Sequence, residues 1–119
     1  MKGTKEKGLI MEVEGVMGQK LMLFENKIRI SRKGFNQFVL HGLKGDKEIF
    51  LKYITSIQFK KAGRFTNGYI QFDFMGGQQA LGGIFQGAMN ENTVLFKKKN
   101  QEDFEKIKGL IEEKIHSRA

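Results

Sequence analysis

Apolar and polar residues alternate along most of the chain, a pattern typical of β-strands that bury one face. The clearest case is the stretch from Tyr69, in which Ile70, Phe72 and Phe74 fall on one side and polar residues on the other. The alternation predicts seven strands, at residues 9–14, 19–24, 27–33, 47–51, 54–61, 69–74 and 93–97. We expect Ile70, Phe72 and Phe74 to belong to the core.

The C-terminal region follows a different period. Phe104, Ile107, Ile111 and Ile115 recur at steps of three and four residues, which predicts an amphipathic helix over about 101–117. Seven strands followed by one helix exclude a parallel α/β sheet, because strands and helices do not alternate. The predicted fold is mainly β (α+β), a seven-stranded antiparallel barrel or sandwich capped by one C-terminal α-helix.

The connections between the strands predict where loops meet. Asn67-Gly68 predicts a tight turn, since glycine accepts positive φ without strain. We expect the loops at 15–19, 34–46 and 75–92 to share one end of the fold. The turns at 25–27 and 61–68 are expected at the other end.

The length of 119 residues predicts a single domain, residues 9–119, after a basic N-terminal tail at 1–8. The absence of Cys excludes disulfides and thiolate sites. No early segment resembles an export signal, and no apolar run approaches the ~20 residues that span a bilayer. We therefore expect a cytoplasmic protein.

The formal net charge is +8, and it is unevenly distributed. Residues 20–64 contain 11 Lys or Arg against 3 acidic residues, while the remainder of the chain is balanced. Two interpretations stay open. The lysines are either an ordinary solvated surface or the docking site of an acidic partner.

Three stretches resemble a known family. HGLKGDKEI (41–49), ITSIQFKKAGRFTNGYIQF (54–72) and ENTVLF (91–96) resemble a bacterial pleckstrin-homology-like (PH-like) domain of unknown function. Domains of that type often precede a short C-terminal helical segment abbreviated SHOCT, which we do not expect here because the sequence ends at Ala119. The resemblance runs from about Met11 to Ile115. It implies a PH-like barrel with a C-terminal helix, and it implies no activity.

The sequence offers little catalytic chemistry. The glycine-rich stretch at 76–87 lacks the Gly-Lys-Ser/Thr ending of a phosphate-binding loop. His41 and His116 have no spacing typical of metal ligands, and no serine lies in a nucleophile motif. We expect a protein that is not an enzyme and that uses no metal or cofactor.

A binding function is the remaining prediction. The 34–46 loop mixes apolar and basic residues, a composition suited to a protein segment, an acidic surface or an anionic membrane headgroup. Phe38 and Leu40 have an alternative role, as core residues at the end of the barrel. The predicted binding residues are Lys33, Phe35, Phe38, His41, Lys44 and Lys47.

Nucleic-acid binding is the alternative function. NGYIQFDF (67–74) faintly resembles a strand motif whose exposed aromatic rings stack on RNA bases. The alternation leaves only Tyr69 outside, so we expect weak and largely non-specific binding. The sequence does not fix the oligomeric state.

Overall fold

All seven predicted strands and the C-terminal helix are present in the computed structural model, which describes residues 7–31, 46–75 and 92–117. The element boundaries agree with the sequence pattern to within a few residues. The elements are β1 (Met11–Glu14), β2 (Lys20–Leu23), β3 (Lys27–Ser31), β4 (Lys47–Phe50), β5 (Ile54–Lys60), β6 (Gly68–Phe74), β7 (Thr93–Phe96) and α1 (Gln101–Ser117).

The strands form two antiparallel sheets. The first sheet has four strands in the order β1-β2-β3-β4, and the second has three in the order β5-β6-β7. Between β4 and β5 the chain makes a 3₁₀ turn at Leu51–Tyr53, so the hydrogen-bonded ladder does not continue from one sheet to the other. Within the described residues the fold is therefore an α+β sandwich, and the predicted closed barrel is not found.

One core joins both sheets and the helix. Leu21 and Ile28 from the first sheet, Ile70 and Phe72 from the second and Ile107 from α1 are all fully buried in it. The predicted burial of Ile70 and Phe72 is confirmed, whereas Phe74 is only half-buried. Phe74 still packs against the core, so alternation gives the inward face of β6 correctly, although Gln71 on the other side is buried as well.

Helix α1 lies across the two sheets and is held at both ends. Near its start, the Phe104 ring stacks on Phe96 of β7 with a centroid distance of 4.4 Å. Gln101 Oε1 accepts a hydrogen bond of 2.7 Å from the Ala62 amide. Near its end, Lys114 Nζ lies 3.3 Å from a carboxylate oxygen of Glu25, in the turn between β2 and β3. The helix therefore connects the 61–67 loop of one sheet to a turn of the other.

The predicted clustering of loops is partly wrong. Ser31 pairs with Lys20, so the 15–19 connection and the strand that leads into the 34–46 loop share one end, as expected. The 75–92 loop starts elsewhere, because the Met75 amide donates to the Tyr53 carbonyl at 2.7 Å. Tyr53 belongs to the link between the sheets, and that link contacts the 25–27 turn through Leu51. Because this link reverses the direction of the chain between β4 and β5, the connection from β6 to β7 begins at the end of the fold that holds the 25–27 turn, opposite to the 15–19 connection.

Gly68 is not the positive-φ turn residue that the sequence predicts. It is the buried first residue of β6. A Cβ at this position would lie 2.4 Å from the Lys60 carbonyl oxygen and 2.6 Å from the Phe96 ring. Glycine is needed here because a backbone and an aromatic ring approach closely.

Two glycine substitutions should therefore have opposite effects on stability. Gly68→Ala forces a methyl group against backbone and is expected to lower the free energy of unfolding by about 2 kcal/mol. Gly109→Ala lies in exposed helix with no atom within 4 Å of the new Cβ, and should raise it by about 0.5–1 kcal/mol. Urea unfolding of both variants checks the pair. Equal effects would contradict the packing at Gly68.

Candidate anion-binding site

Most of the predicted binding residues fall outside the described part of the chain. Lys33, Phe35, Phe38, His41 and Lys44 belong to the segment between β3 and β4 that the structure does not describe. Their role as a binding loop stays a prediction, as does the alternative that Phe38 and Leu40 are core residues.

Lys47 is the one predicted binding residue that is described. It is half-buried at the start of β4, and its Nζ lies 5.2 Å from the centroid of the Phe74 ring. An ammonium group over an aromatic ring is stabilised by the ring quadrupole. Lys47 therefore already contributes to the contact between the two sheets.

Two neighbouring cations are paired with one carboxylate. Glu48 lies 2.8 Å from the Arg29 guanidinium and 3.2 Å from Lys27 Nζ. The hydrogen bond from Arg29, with that from Lys27 beside it, holds the pKa of Glu48 below its ordinary value, against a smaller opposing effect of burial. Part of the positive charge in residues 20–64 is thus used within the fold.

A second group of cations is not paired in this way. Six exposed Lys and Arg side chains occupy the end of the second sheet where β5 ends and β7 leads into the helix. They make no ion pair with any residue in the described ranges 7–31, 46–75 and 92–117. The group consists of Lys60, Lys61, Arg64, Lys97, Lys98 and Lys99.

Four of these residues are among those that line a solvent-open hollow of about 360 Å³. One wall of the hollow is the loop at 63–67, which contains Arg64. The other wall is the turn that contains Lys97, Lys98 and Lys99. The volume is at the lower end of the range for small-molecule sites. The hollow therefore has room for a multivalent anion with several cations around it.

Backbone geometry fixes both walls. The Gly63 amide donates to the Thr66 carbonyl at 2.9 Å, which closes the loop, and the bond from Ala62 to Gln101 ties the loop to the helix. The Asn100 amide donates to the Lys97 carbonyl at 2.9 Å, which closes a 3₁₀ turn directly before α1. Both cationic segments are thus positioned by the start of the helix.

Acidic residues lie close to the hollow. Glu102 and Asp103 are exposed in the first turn of α1, where they complement the helix dipole. These two acids offset part of the local positive charge. They also explain why the cluster of cations at this end of the fold is not predicted from the sequence. A count along the chain averages Lys97–Lys99 with the acids that follow, whereas the fold puts these lysines beside Arg64.

An apolar side chain stands at the rim of the same hollow. The Phe65 side chain is 89% exposed, more than any other large hydrophobic residue in the described part of the chain. The Arg64 guanidinium lies 5.9 Å from the centroid of its ring. The loop thus presents a cation and an aromatic ring together.

Other kinds of site have less support in the described residues. No group of three or more His, Cys, Asp or Glu side chains with a metal-binding arrangement occurs among them. His116 is exposed in the last turn of α1, and His41 lies outside the described ranges. Tyr69 is half-buried on the outer face of β6, so the aromatic surface needed to stack RNA bases is not exposed there.

A comparison with protein families matches residues 24–112, well over half of the chain, to a domain of unknown function, DUF4429. The chain belongs to this family. The matched region of the DUF4429 domain runs from Phe24 into α1 and contains both walls of the hollow. No curated protein and no solved structure matches the chain. Among the described parts of the DUF4429 domain, no helix has the length and apolarity needed to cross a bilayer.

The Glu48 ion pairs predict a pH dependence of stability. Because the pKa of Glu48 is lower in the folded state, the pairs add stability above the unfolded-state pKa and lose it as the pH falls through the folded-state value. Glu48→Gln should cost about 0.5 kcal/mol at neutral pH, a small effect because the carboxylate is 40% exposed.

Urea unfolding at neutral and at acidic pH measures this contribution. The difference between Glu48→Gln and the unsubstituted domain should shrink toward zero in acid. Glu113→Gln, at an exposed position of α1, is the matched control and should show no such trend. A cost for Glu48→Gln that persists unchanged in acid would contradict the assignment.

Proposed function

We propose that this DUF4429 domain is a non-catalytic binding module of PH-like fold, and that it binds an anionic group in the hollow between the 63–67 loop and Lys97–Lys99. The observation that carries the proposal is the arrangement of Arg64 and the three lysines around one hollow, without an ion pair to any described residue.

The electrostatic argument concerns like charges held close together. Cations on a shared surface repel one another, and a multivalent anion between them converts that repulsion into attraction. Lysine ammonium groups bind phosphate as mobile point charges, whereas Arg64 offers a planar fork. At about 1 kcal/mol for each of four exposed cations, we expect a dissociation constant on the order of 1 mM for a small polyphosphate.

The PH-like assignment is supported by the order of the elements. Four antiparallel strands, then three, then a C-terminal helix agree with what the resemblance of residues 41–49, 54–72 and 91–96 implies. The non-catalytic assignment rests on the lack of a nucleophile motif in the sequence. A cytoplasmic location is part of the proposal.

The 34–46 loop is a separate proposed surface for an acidic partner. It would use Lys33, Lys44 and Lys47 beside its apolar residues. We favour the hollow as the primary site because backbone hydrogen bonds hold both of its walls and its cations make no ion pair with a described residue. A titration that reports on individual residues separates the two surfaces.

Nucleic-acid binding remains the alternative function. Because Phe72 is fully buried, such binding would rest mainly on charge at the same cations. It would then be weak, indifferent to sequence and strongly reduced by salt. Sequence preference that survives high salt would favour the alternative over the proposal.

Titration of the ¹⁵N-labelled domain with inorganic tripolyphosphate tests the proposal. We expect amide shifts confined to residues 63–67 and 97–99, with affinity that falls as the ionic strength rises. Lys98→Gln with Lys99→Gln should weaken binding about 25-fold, which corresponds to loss of about 2 kcal/mol for the two cations.

The matched control removes the same charge at the other end of the fold. Lys7 precedes Gly8, which lies beside Phe24, and Lys52 lies in the 51–53 turn. Replacing both by Gln should leave the affinity nearly unchanged. Shifts centred on Lys47 would assign the anion site to the 34–46 loop, and shifts spread over the whole surface would contradict any defined site.

A further inference from the structure

The 63–67 loop has two properties, and only the first of them is needed to bind a soluble anion. It lines the cationic hollow, and it holds the Phe65 ring in solvent at 89% exposure. Burial of an apolar side chain is the main favourable contribution to folding, so an aromatic ring held in water gains from any apolar contact. Phe65 has no role in the core of the domain.

A lipid bilayer with anionic headgroups supplies both contacts at once. Its surface attracts clustered cations, and its interface accepts aromatic rings just below the headgroups. A single weak signal gives only marginal membrane association, and an apolar contact together with a basic patch binds more strongly than either alone. The 63–67 loop and Lys97–Lys99 provide such a pair.

From this combination we infer that the domain docks peripherally on an anionic membrane surface, with the hollow on the headgroups and Phe65 inserted into the interface. The inference rests on the proposed anion-binding function of the hollow. An acidic protein segment would also match the charge, but it would leave the Phe65 ring without an apolar environment unless it carried a matching apolar residue.

The other exposed aromatic group within the described ranges, formed by Phe50 and Tyr53, lacks this combination. Phe50 and Tyr53 lie at the opposite end of the second sheet, with their ring centroids 6.3 Å apart. Lys52 Nζ lies 5.3 Å from the Tyr53 ring, and this pair of rings does not line the cationic hollow. Phe50, which is 48% exposed, therefore serves as a control position.

The sequence contains no Trp, so a single introduced indole reports its own environment. Phe65→Trp is titrated with vesicles of phosphatidylcholine alone and of phosphatidylcholine with phosphatidylglycerol in a roughly two-to-one ratio. We expect a blue shift of the emission with the anionic vesicles only. Phe50→Trp, at the control position, should show no shift with either.

Vesicle cosedimentation of two further variants separates the two contributions. Phe65→Ala should reduce the partition coefficient on anionic vesicles about tenfold, a clearly larger change than it causes in tripolyphosphate affinity, because the soluble anion gains nothing from an apolar ring. Lys98→Gln with Lys99→Gln should reduce both, and vesicle binding by about 25-fold, taking each cation as about a factor of five.

The outcomes distinguish the inference from the function on which it rests. Tripolyphosphate binding at the hollow without a blue shift at Phe65→Trp would overturn the membrane inference and leave the proposed function in place. If the unsubstituted domain does not bind tripolyphosphate at the hollow, both the proposed function and the membrane inference are overturned. Equal blue shifts at positions 65 and 50 would overturn the docking orientation inferred here.

Discussion

The stacking of Phe104 on Phe96, at a centroid distance of 4.4 Å, is the contact on which the rest of the structure depends. It fixes the start of α1 against the last strand, and both rings are fully buried. Phe59 of β5 extends the stack at 5.4 Å from Phe96. Since the helix covers the core shared by both sheets, this cluster holds together elements that no backbone ladder joins among the described residues.

The same contact determines where the cations lie. Phe96 and Phe104 are eight positions apart, and because both are fixed, the residues between them must turn at the surface. Lys97, Lys98 and Lys99 occupy that turn, and the Gln101 side chain binds the Ala62 amide of the facing loop. Core packing therefore brings Arg64 and the lysines around one hollow. The proposed function is thus a consequence of how the helix is anchored.

The sequence predicts the elements far better than the candidate site. Period-two alternation and the stripe from Phe104 to Ile115 give every strand and the helix, because burial of one face imposes those periods. The closed barrel and the shared end of three loops are not found, since both depend on the link at Leu51–Tyr53, which no local pattern marks. Lys97–Lys99 are visible as a run, but only tertiary contact shows that they face Arg64.

The most direct test of this account measures Phe104→Ala and the milder Phe104→Leu by urea unfolding, with amide hydrogen exchange at Ala62. If the aromatic stack anchors the helix and the hollow, Phe104→Ala should lose about 3–4 kcal/mol of unfolding free energy and Phe104→Leu about 1 kcal/mol. Exchange at Ala62 should accelerate in both, because its partner Gln101 is released with the helix start. A loss below about 1 kcal/mol in Phe104→Ala, with Ala62 protection unchanged, would contradict the account.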